Sequence, residues 1–166
     1  LVVDILLAVT RDGAFSHIAI RDVLDKYRYL PKQDRAFITR LSQGTIERMI
    51  ELDAIINQFS KTKVKKMKPV IAAILRSGVY QLKYMDSVPD SAACNEAVKL
   101  TVKRGFGGLK GFVNGVMRTI ARNMDQIRYP DAEKEPVRYL SVKYSIPEWL
   151  VQRFTEQYGA EACERS

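Results

Sequence analysis

The sequence predicts an all-α protein, on three observations. Apolar residues recur at three- and four-residue spacing along most of the chain, which gives each helix one apolar face. Alternation of polar and apolar residues with a period of two, the mark of a half-buried strand, does not occur. Prolines and glycines interrupt the apolar stretches at positions typical of helix starts and ends. No segment repeats at a fixed period, so we expect a helical bundle and not a solenoid.

The first part of the chain predicts three helices. Residues 2–11 carry an apolar stripe at helical spacing. Ser16 is expected to cap the second helix, because its hydroxyl can accept a hydrogen bond from a free amide of the first turn. Pro31 fits the first turn of a long third helix, where an N–H group would have no helical partner. That helix is expected to continue to Phe59, with a bend near Glu51.

A lysine-rich connector, KTKVKKMK at 61–68, separates these helices from four more. Gly78 is expected at a close helix crossing, because it has no side chain to keep two helices apart. The GFGG segment at 105–108 is typical of a helix C-cap followed by a turn. Ser145 is expected to cap the last helix. The three helices before the last cover about 69–85, 91–104 and 109–123.

The composition changes in the last quarter of the chain. Tyr129-Pro130 and Glu135-Pro136 lie close together, and a residue that precedes proline favours extended or turn backbone. We therefore expect one domain at 1–125, a linker at 126–143 and the start of a truncated second domain at 144–166. The chain begins without methionine and its last residues have a helical pattern, so we expect it to be part of a longer protein.

Positive charge is concentrated in the middle of the chain. The formal net charge is +8. It is 0 over residues 1–60 (8 basic, 8 acidic), +10 over 61–124 (13 basic, 3 acidic) and −2 over 125–166 (6 basic, 8 acidic). A strongly basic segment between two nearly neutral ones indicates a polyanionic partner, and nucleic acid is the first choice. A solvated basic face that serves only solubility is the alternative.

The sequence makes no positive case for catalysis, a metal site or a membrane span. Its thiols and its one imidazole, Cys94, Cys163 and His17, lack the spacing of a metal site. No nucleophile–base pair and no paired carboxylates stand out. No run of about 18 apolar residues and no secretory signal is visible, so we expect a cytoplasmic protein with reduced thiols.

Two polar ridges follow the helices at 91–104 and 109–123. A four-residue step keeps side chains on one side of a helix, so each ridge presents an asparagine near its start and cations beyond it. Cations at this spacing can follow phosphates, and asparagine can bind a base edge or a sugar. Alternatively, the asparagines bridge helices and the cations are ordinary solvated surface. The ridges are Ser91, Asn95, Lys99 and Lys103, then Lys110, Asn114, Arg118 and Arg122.

Other groups near the ridges leave the same choice open. Tyr80, Tyr84 and Phe106 either stack on unpaired bases or pack in the core. The GFGG turn lacks the preceding strand and the glycine spacing of a nucleotide-binding loop. As a turn before a helix, it still leaves room for an RNA phosphate at the amides near Lys110.

Several segments resemble the NusB-type RNA-binding fold. The stretch SAACNEAVKLTVKRGFGGLKGFVNGVMRTI at 91–120 is similar to its NEA helix followed by its GFVNG helix. DRAFITRLSQGTIERMIELDAIINQFS at 34–60, LRSGVYQLKYMDSVPDSA at 75–92 and the opening VVDILLAVTRDGAFSHIAI agree with it. The resemblance covers about residues 1–125. It implies that the asparagines of the two ridges, which belong to these motifs, hold the fold together.

The segment GGLKGFVNGVMR and the tail SVKYSIPEWLVQRFTEQYG at 141–159 resemble the bacterial 16S rRNA cytosine-C5 methyltransferases of the Sun (rRNA small subunit methyltransferase B) family. These enzymes place a NusB-like domain ahead of an S-adenosylmethionine-dependent methyltransferase domain. The resemblance implies that the catalytic cysteines and the cofactor loop lie downstream. We therefore expect no catalytic role for Cys94 or Cys163, and no cofactor in this chain.

Charge and resemblance together predict a domain that binds and orients 16S rRNA for a methyltransferase domain of the same protein, without being an enzyme itself. The alternative is an interaction module of the antitermination type, which acts with a ribosomal protein or as a homodimer through the apolar surface of the first helices. The residues expected to contact RNA flank the glycine turn: Lys99, Lys103, Arg104, Lys110, Arg118 and Arg122.

Overall fold

The computed structural model describes residues 1–158, which fold into nine α-helices with no strand among them. The predicted all-α fold is confirmed. None of the helices in this part of the chain is long and apolar enough to cross a membrane. The helices are α1 Val2–Thr10, α2 Ser16–Lys26, α3 Lys32–Glu47, α4 Met49–Phe59, α5 Pro69–Tyr84, α6 Asp90–Lys103, α7 Lys110–Arg122, α8 Pro136–Tyr144 and α9 Glu148–Tyr158.

Helix α5 lies at the centre of the bundle, in contact with α1, α3, α4, α6 and α7. Its apolar side chains, such as Ile74 and Leu75, are completely buried, and each contributes about 1.5–3 kcal/mol through removal from water. Gly78 lies at the crossing of α5 with α7. A Cβ atom there would lie 2.6 Å from Cε of Met117, so the predicted close approach is confirmed.

The long helix expected from residue 31 to Phe59 is interrupted at Arg48, between α3 and α4, which is three residues before the expected bend near Glu51. Arg48 leaves helical geometry, with φ −101° and ψ 14°. Its guanidinium turns back to the carboxylate of Glu51 at 2.8 Å and to the carbonyl of Lys143 at 2.6 Å. The position of the break is therefore fixed by contacts with the C-terminal part of the chain, which local sequence does not specify.

Both predicted serine caps are wrong. Ser16 is the first residue of α2, and the cap position belongs to Phe15, which makes no side-chain cap. Ser145 ends α8 in the left-handed region, with φ 55°. Its hydroxyl accepts a hydrogen bond from the amide of Ile50, so it links the end of α8 to the start of α4 and does not cap α9.

Residues 126–143, expected as a linker, do not form an extended connection. Pro136 opens α8 from its first turn, and Leu140 and Val142 are buried where α8 packs on α4. Upstream of the helix, the side-chain amide of Gln58 pairs with both backbone groups of Arg128, at 2.6 and 2.9 Å. The prolines that suggested a linker therefore mark the start of α8 and the segment before it, residues 127–135 (the strap), which contacts α4 at Gln58 and Glu51.

Candidate nucleic-acid interface

The two polar ridges lie side by side, because α6 and α7 are packed neighbours joined by a short turn. Gly105 ends α6 with φ 86°, and the amide of Phe106 donates to the carbonyl of Thr101 at 2.9 Å. This bond satisfies a carbonyl that the helix end would otherwise leave free. The predicted glycine C-cap is confirmed, and it brings Lys103 and Lys110 to one corner of the bundle.

Arg118 joins the two ridges. Its Nη2 donates to Oδ1 of Asn95 on α6 at 2.9 Å, and its Nε donates to Oδ1 of Asn114 on α7 at 3.2 Å. Asn95 thus links the two helices, and Asn114 holds the same guanidinium from within α7, so both asparagines have a structural role, as the family resemblance implied. The guanidinium is held in place and half-buried, with Nη1 making none of these bonds.

Arg104 is also held within the fold. Its Nη1 lies 2.8 Å from Oδ1 of Asp4 on α1, and both side chains are partly exposed. The pair ties the end of α6 to the first helix and neutralises part of the charge of Arg104. Among the six residues expected to contact RNA, Arg104 is the one whose positive charge is partly neutralised by a carboxylate within residues 1–158.

The other four expected contacts are exposed cations. None of them forms an ion pair within residues 1–158. Unpaired cations in a row attract a polyanion and release its counterions when it binds. The four are Lys99 and Lys103 on α6, and Lys110 and Arg122 on α7.

Helix α7 leaves its backbone bare beside the second ridge. Gly111 and Gly115 are exposed, one helical turn apart, and a Cβ atom at either would meet nothing within 4 Å. Glycine inside a helix costs about 0.5–1 kcal/mol relative to alanine, and no contact among the described residues requires it at these two positions. The bare surface lets a bulky partner approach the helix backbone closely.

The aromatic residues near the ridges face the protein interior. The ring of Tyr80 lies against Gly44 so closely that a Cβ atom there would overlap it. Phe106 packs against the main core, and Tyr84 donates a hydrogen bond to the carboxylate of Glu51. All three rings are half-buried, and these contacts give each of them a partner within the fold.

The structure places two features that the sequence analysis weighed for chemistry, Cys94 and the GFGG turn. Cys94 is completely buried, and burial raises the pKa of its thiol, so the nucleophilic thiolate is disfavoured. The GFGG turn closes a helix end and does not follow a strand, unlike a nucleotide-binding loop. Within residues 1–158, no three His, Cys, Asp or Glu side chains are grouped as metal ligands. Cys163 lies outside the described residues.

A buried carboxylate, Glu51, which the sequence analysis missed, accepts several hydrogen bonds where α4 begins and α5 ends. Glu51 is 2% exposed and accepts hydrogen bonds from Arg48 at 2.8 Å, from Tyr84, and from Tyr129 at 3.0 Å. Lys83 donates to the hydroxyl of Tyr129 at 3.0 Å. Burial, followed by the charge and hydrogen bond of Glu51, raises the pKa of each tyrosine to about 12.

This network attaches the C-terminal segment to the bundle. Tyr129 comes from the strap after α7, and the carbonyl of Lys143 on α8 accepts from Arg48. The sequence signal was present but ambiguous, because Glu51 occupies an apolar position of its helix. A glutamate at such a position is recognised as buried only when the structure shows hydrogen-bond donors from distant segments around its carboxylate.

A groove of about 1260 Å³ runs between α4 and residues 125–142. Its polar groups mostly serve the fold: Asp53 pairs with Arg76 at 2.6 Å, and Gln58 binds the backbone of the strap. Its charged lining is mixed in sign, with Lys63 and Arg138 near Asp125 and Glu135. The groove therefore lacks the excess of positive charge that the ridges carry.

Comparison with known proteins gives two kinds of relatives. The chain is 38% identical to a probable ribosomal RNA small subunit methyltransferase B of Bacillus subtilis (strain 168), over 96% of this chain and 35% of that protein. It is 35% identical to the protein of the same name from Synechocystis sp., with the same coverage. The chain thus spans about a third of the length of these relatives.

The second kind is shorter. The chain is 39% identical over 90 residues to the transcription antitermination protein NusB of Agathobacter rectalis, which covers 54% of this chain and 69% of that protein. The NusB family matches residues 1–122, a range that holds α1 to α7 and both ridges. The resemblance seen in the NEA and GFVNG motifs is confirmed, and the chain belongs to the NusB family.

Proposed function

We propose that this chain is the RNA-binding NusB-like part of a cytoplasmic rRNA methyltransferase, where it binds and orients 16S rRNA. The observation that carries the proposal is the paired ridge surface: four exposed, unpaired cations beside a guanidinium held across the α6–α7 contact. Such a surface recognises a phosphate backbone by charge, with little discrimination between bases. The relatives named as methyltransferases supply the choice of rRNA.

Methyl transfer is assigned to another part of the longer protein. The methyltransferase relatives are about three times the length that this chain covers, and S-adenosylmethionine would bind in that remaining part. The residues described in this chain contribute binding and orientation. Docking of α8 on α4 through Arg48 and Ser145 supports the orienting role, because it gives the segment after the bundle a defined direction.

The test is RNA affinity as a function of salt. The logarithm of the binding constant for single-stranded RNA should fall with the logarithm of salt concentration, with a slope of about −3 for four phosphate contacts. A ridge variant, with Lys99, Lys103, Lys110 and Arg122 each changed to Gln, should lose most of that slope. Arg118 stays unchanged in this variant, so the α6–α7 contact survives.

A matched control separates the ridges from net charge. Lys26, Arg28, Lys32 and Arg40 are exposed and form no ion pair within the described part of the chain. Changing these four to Gln lowers the net charge equally and should leave RNA affinity nearly intact. Equal losses in both variants, or an affinity that does not depend on salt, would contradict the proposal.

A second function is favoured by a different surface. Phe15 is 72% exposed on the loop before α2, and Phe37 on α3 is 40% exposed. Large exposed aromatic side chains are typical of protein interfaces, and several relatives are named as antitermination proteins. An interaction module would pair with a ribosomal protein or with a second copy. Sedimentation that reports a dimer which Phe15→Ser dissociates, together with absent RNA binding, would favour this function.

A further inference from the structure

The connector between α4 and α5 is a second concentration of positive charge, apart from the ridges. Residues 61–68 contain five lysines. The longer stretch 54–85 contains seven basic residues and no aspartate or glutamate. A folded protein pays for such like-charge crowding in self-repulsion, and a polyanionic partner relieves it.

The connector is a folded loop. Val64 at its centre is 6% exposed, and its amide donates to Oδ1 of Asn57 at 2.9 Å. Ser60 closes the start of the loop through hydrogen bonds with the backbone of Thr62. A short 3-10 turn at Val64–Lys66 follows. The loop is anchored by its centre, so its lysines are held outward and binding costs little backbone entropy.

The lysines of the loop are available to a partner. All five are exposed, and none forms an ion pair within residues 1–158. Within the described part of the chain, Lys63 alone among them is engaged, through a hydrogen bond to the carbonyl of Asn57 at 3.2 Å. The apolar members, Val64 and Met67, are buried and half-buried. No exposed apolar side chain of the loop is left to insert into a lipid surface, and the neighbouring ridges already favour RNA, so we take RNA as the partner of the loop.

The fold places this loop at the same end of the bundle as the glycine turn. Contacts between Asp53 and Arg76, and between Glu51 and Tyr84, show that α5 runs antiparallel to α4. The turns before and after α6 are short, so α6 runs antiparallel to α5 and α7 antiparallel to α6. The start of α5, the end of α6 and the start of α7 therefore share one end.

The register agrees with this placement. A Cβ atom at Gly78 would lie 3.9 Å from Cβ of Ala97, so these residues of α5 and α6 face each other. Seven residues back along α5 is Ile71, and seven forward along the chain from Ala97 is Arg104. The loop, which ends at Lys68, thus lies near the corner that carries Lys103 and Lys110.

We propose that the loop at 61–68 is a second phosphate-binding surface, which extends the RNA footprint past the glycine turn. The inference rests on the proposed RNA-binding function and adds to it a site and a direction: an RNA strand on the ridges continues around this end of the bundle. Lysines act as point charges toward phosphate, so the loop adds affinity and length of footprint without base recognition.

The first test compares RNA lengths. The probes are oligouridylates of about 8 and about 20 nucleotides, within and beyond the footprint of a small binding domain. In a loop variant, Lys61, Lys65, Lys66 and Lys68 are each changed to Gln, and Lys63 is kept for its bond to Asn57. This variant should bind the longer RNA about tenfold more weakly, with a salt slope smaller by about 2–3, and bind the shorter RNA as the wild type does.

The outcomes separate this inference from the proposed function. The control variant of the proposed function, with Lys26, Arg28, Lys32 and Arg40 changed to Gln, serves here as well. If the loop variant binds the longer RNA as tightly as this control, the second surface is refuted while the ridges stand. If the wild-type chain binds neither RNA, the proposed function fails and the inference with it. If the loop variant loses binding only to vesicles of anionic phospholipid, the partner is a membrane surface and the RNA assignment is wrong.

A second measurement needs no mutation. Amine acylation of the wild-type chain, read by mass spectrometry, reports which lysines RNA covers. The longer RNA should protect the loop lysines and the ridge lysines at least several-fold relative to Lys26 and Lys32, and the shorter RNA should protect the ridge lysines alone. Unchanged reactivity of the loop in the presence of bound longer RNA would overturn the proposal.

Discussion

Arg118 on α7 donates a hydrogen bond to the side-chain oxygen of Asn95 on α6 at 2.9 Å, and this contact fixes the spacing of the two ridges. The same guanidinium binds Asn114 one turn earlier on its own helix at 3.2 Å. A cation that serves the fold in this way is also held ready for a phosphate. In the proposed RNA complex this one side chain would serve both structure and binding, and a substitution of its partner Asn95 can separate the two roles.

Asn95→Ala should lower the free energy of unfolding by about 0.5–1.5 kcal/mol, because one largely exposed hydrogen bond to a guanidinium is lost. RNA affinity should fall less than in the ridge variant, since all the cations remain. Urea unfolding and RNA titration measure the two effects. Ser91→Ala, at an exposed site one turn earlier on α6, is the control and should change neither.

Substitution of the two exposed glycines of α7 should raise stability and weaken RNA binding. Gly111→Ala and Gly115→Ala should each raise the free energy of unfolding by about 0.5–1 kcal/mol, because an added Cβ meets nothing. If RNA approaches this backbone closely, the double variant should bind it more weakly despite its higher stability. Unchanged affinity would show that RNA does not touch these turns.

Gly78→Ala is the contrasting control. Its Cβ would lie 2.6 Å from Cε of the fully buried Met117, so this side chain must repack, and Gly78→Ala should be less stable than either of the α7 variants by about 1–3 kcal/mol. A Gly78→Ala protein stabilised as much as the α7 variants would contradict the close crossing of α5 and α7. Thermal unfolding of the three glycine variants side by side makes the comparison.

The buried carboxylate predicts how the C-terminal segment is held. Glu51→Gln should cost about 1.5–3 kcal/mol, because it replaces the charged hydrogen-bond partner of Arg48 by a neutral amide. Tyr129→Phe removes one hydrogen bond to a charged group and should cost about 1.5–3 kcal/mol.

Hydrogen exchange locates both effects. Amides in 127–145 should exchange faster in Tyr129→Phe, while those of α6 and α7 keep wild-type rates. Tyr139→Phe is the matched control, since its hydroxyl contacts Lys143 and not the buried carboxylate. Equal exchange in the two tyrosine variants would mean that Glu51 does not hold the strap.

Alkaline pH should weaken the same network. Burial, followed by Glu51, raises the pKa of Tyr84 and of Tyr129 to about 12, above the ordinary value of 10.0. The folded state therefore holds these protons more tightly than the unfolded state. Their contribution to stability is complete below pH 10 and is lost as the pH rises toward 12.

Near-ultraviolet absorbance of tyrosinate follows this titration directly. Tyr84 and Tyr129 should ionise in the folded chain only as the pH approaches 12, above the ordinary tyrosine pKa of 10.0. Tyr84→Phe and Tyr129→Phe should each remove one late titration. An absorbance curve with a single ordinary midpoint, in protein that is still folded, would contradict the burial of these hydroxyls.

The sequence by itself determined the helices, the ridges and the family. Apolar spacing, glycine at 105 and proline at 69 act locally, through backbone geometry and one buried face per helix, so the pattern specifies most of the helices, while α8, which begins at Pro136, was expected as a linker. The NEA and GFVNG motifs identified the NusB family for the same reason: they encode the packing of α6 on α7. The assignment of RNA to the ridges stays a prediction.

Only the tertiary structure decided which charges are free. Arg104 and Arg118 look like their neighbours in the sequence, yet one meets Asp4 across 100 residues and the other meets Asn95 across 23. The break at Arg48, the role of Ser145 and the burial of Glu51 likewise depend on segments about 33 to 95 residues apart. Pairing of polar groups over such separations follows from how helices pack, which local periodicity does not encode.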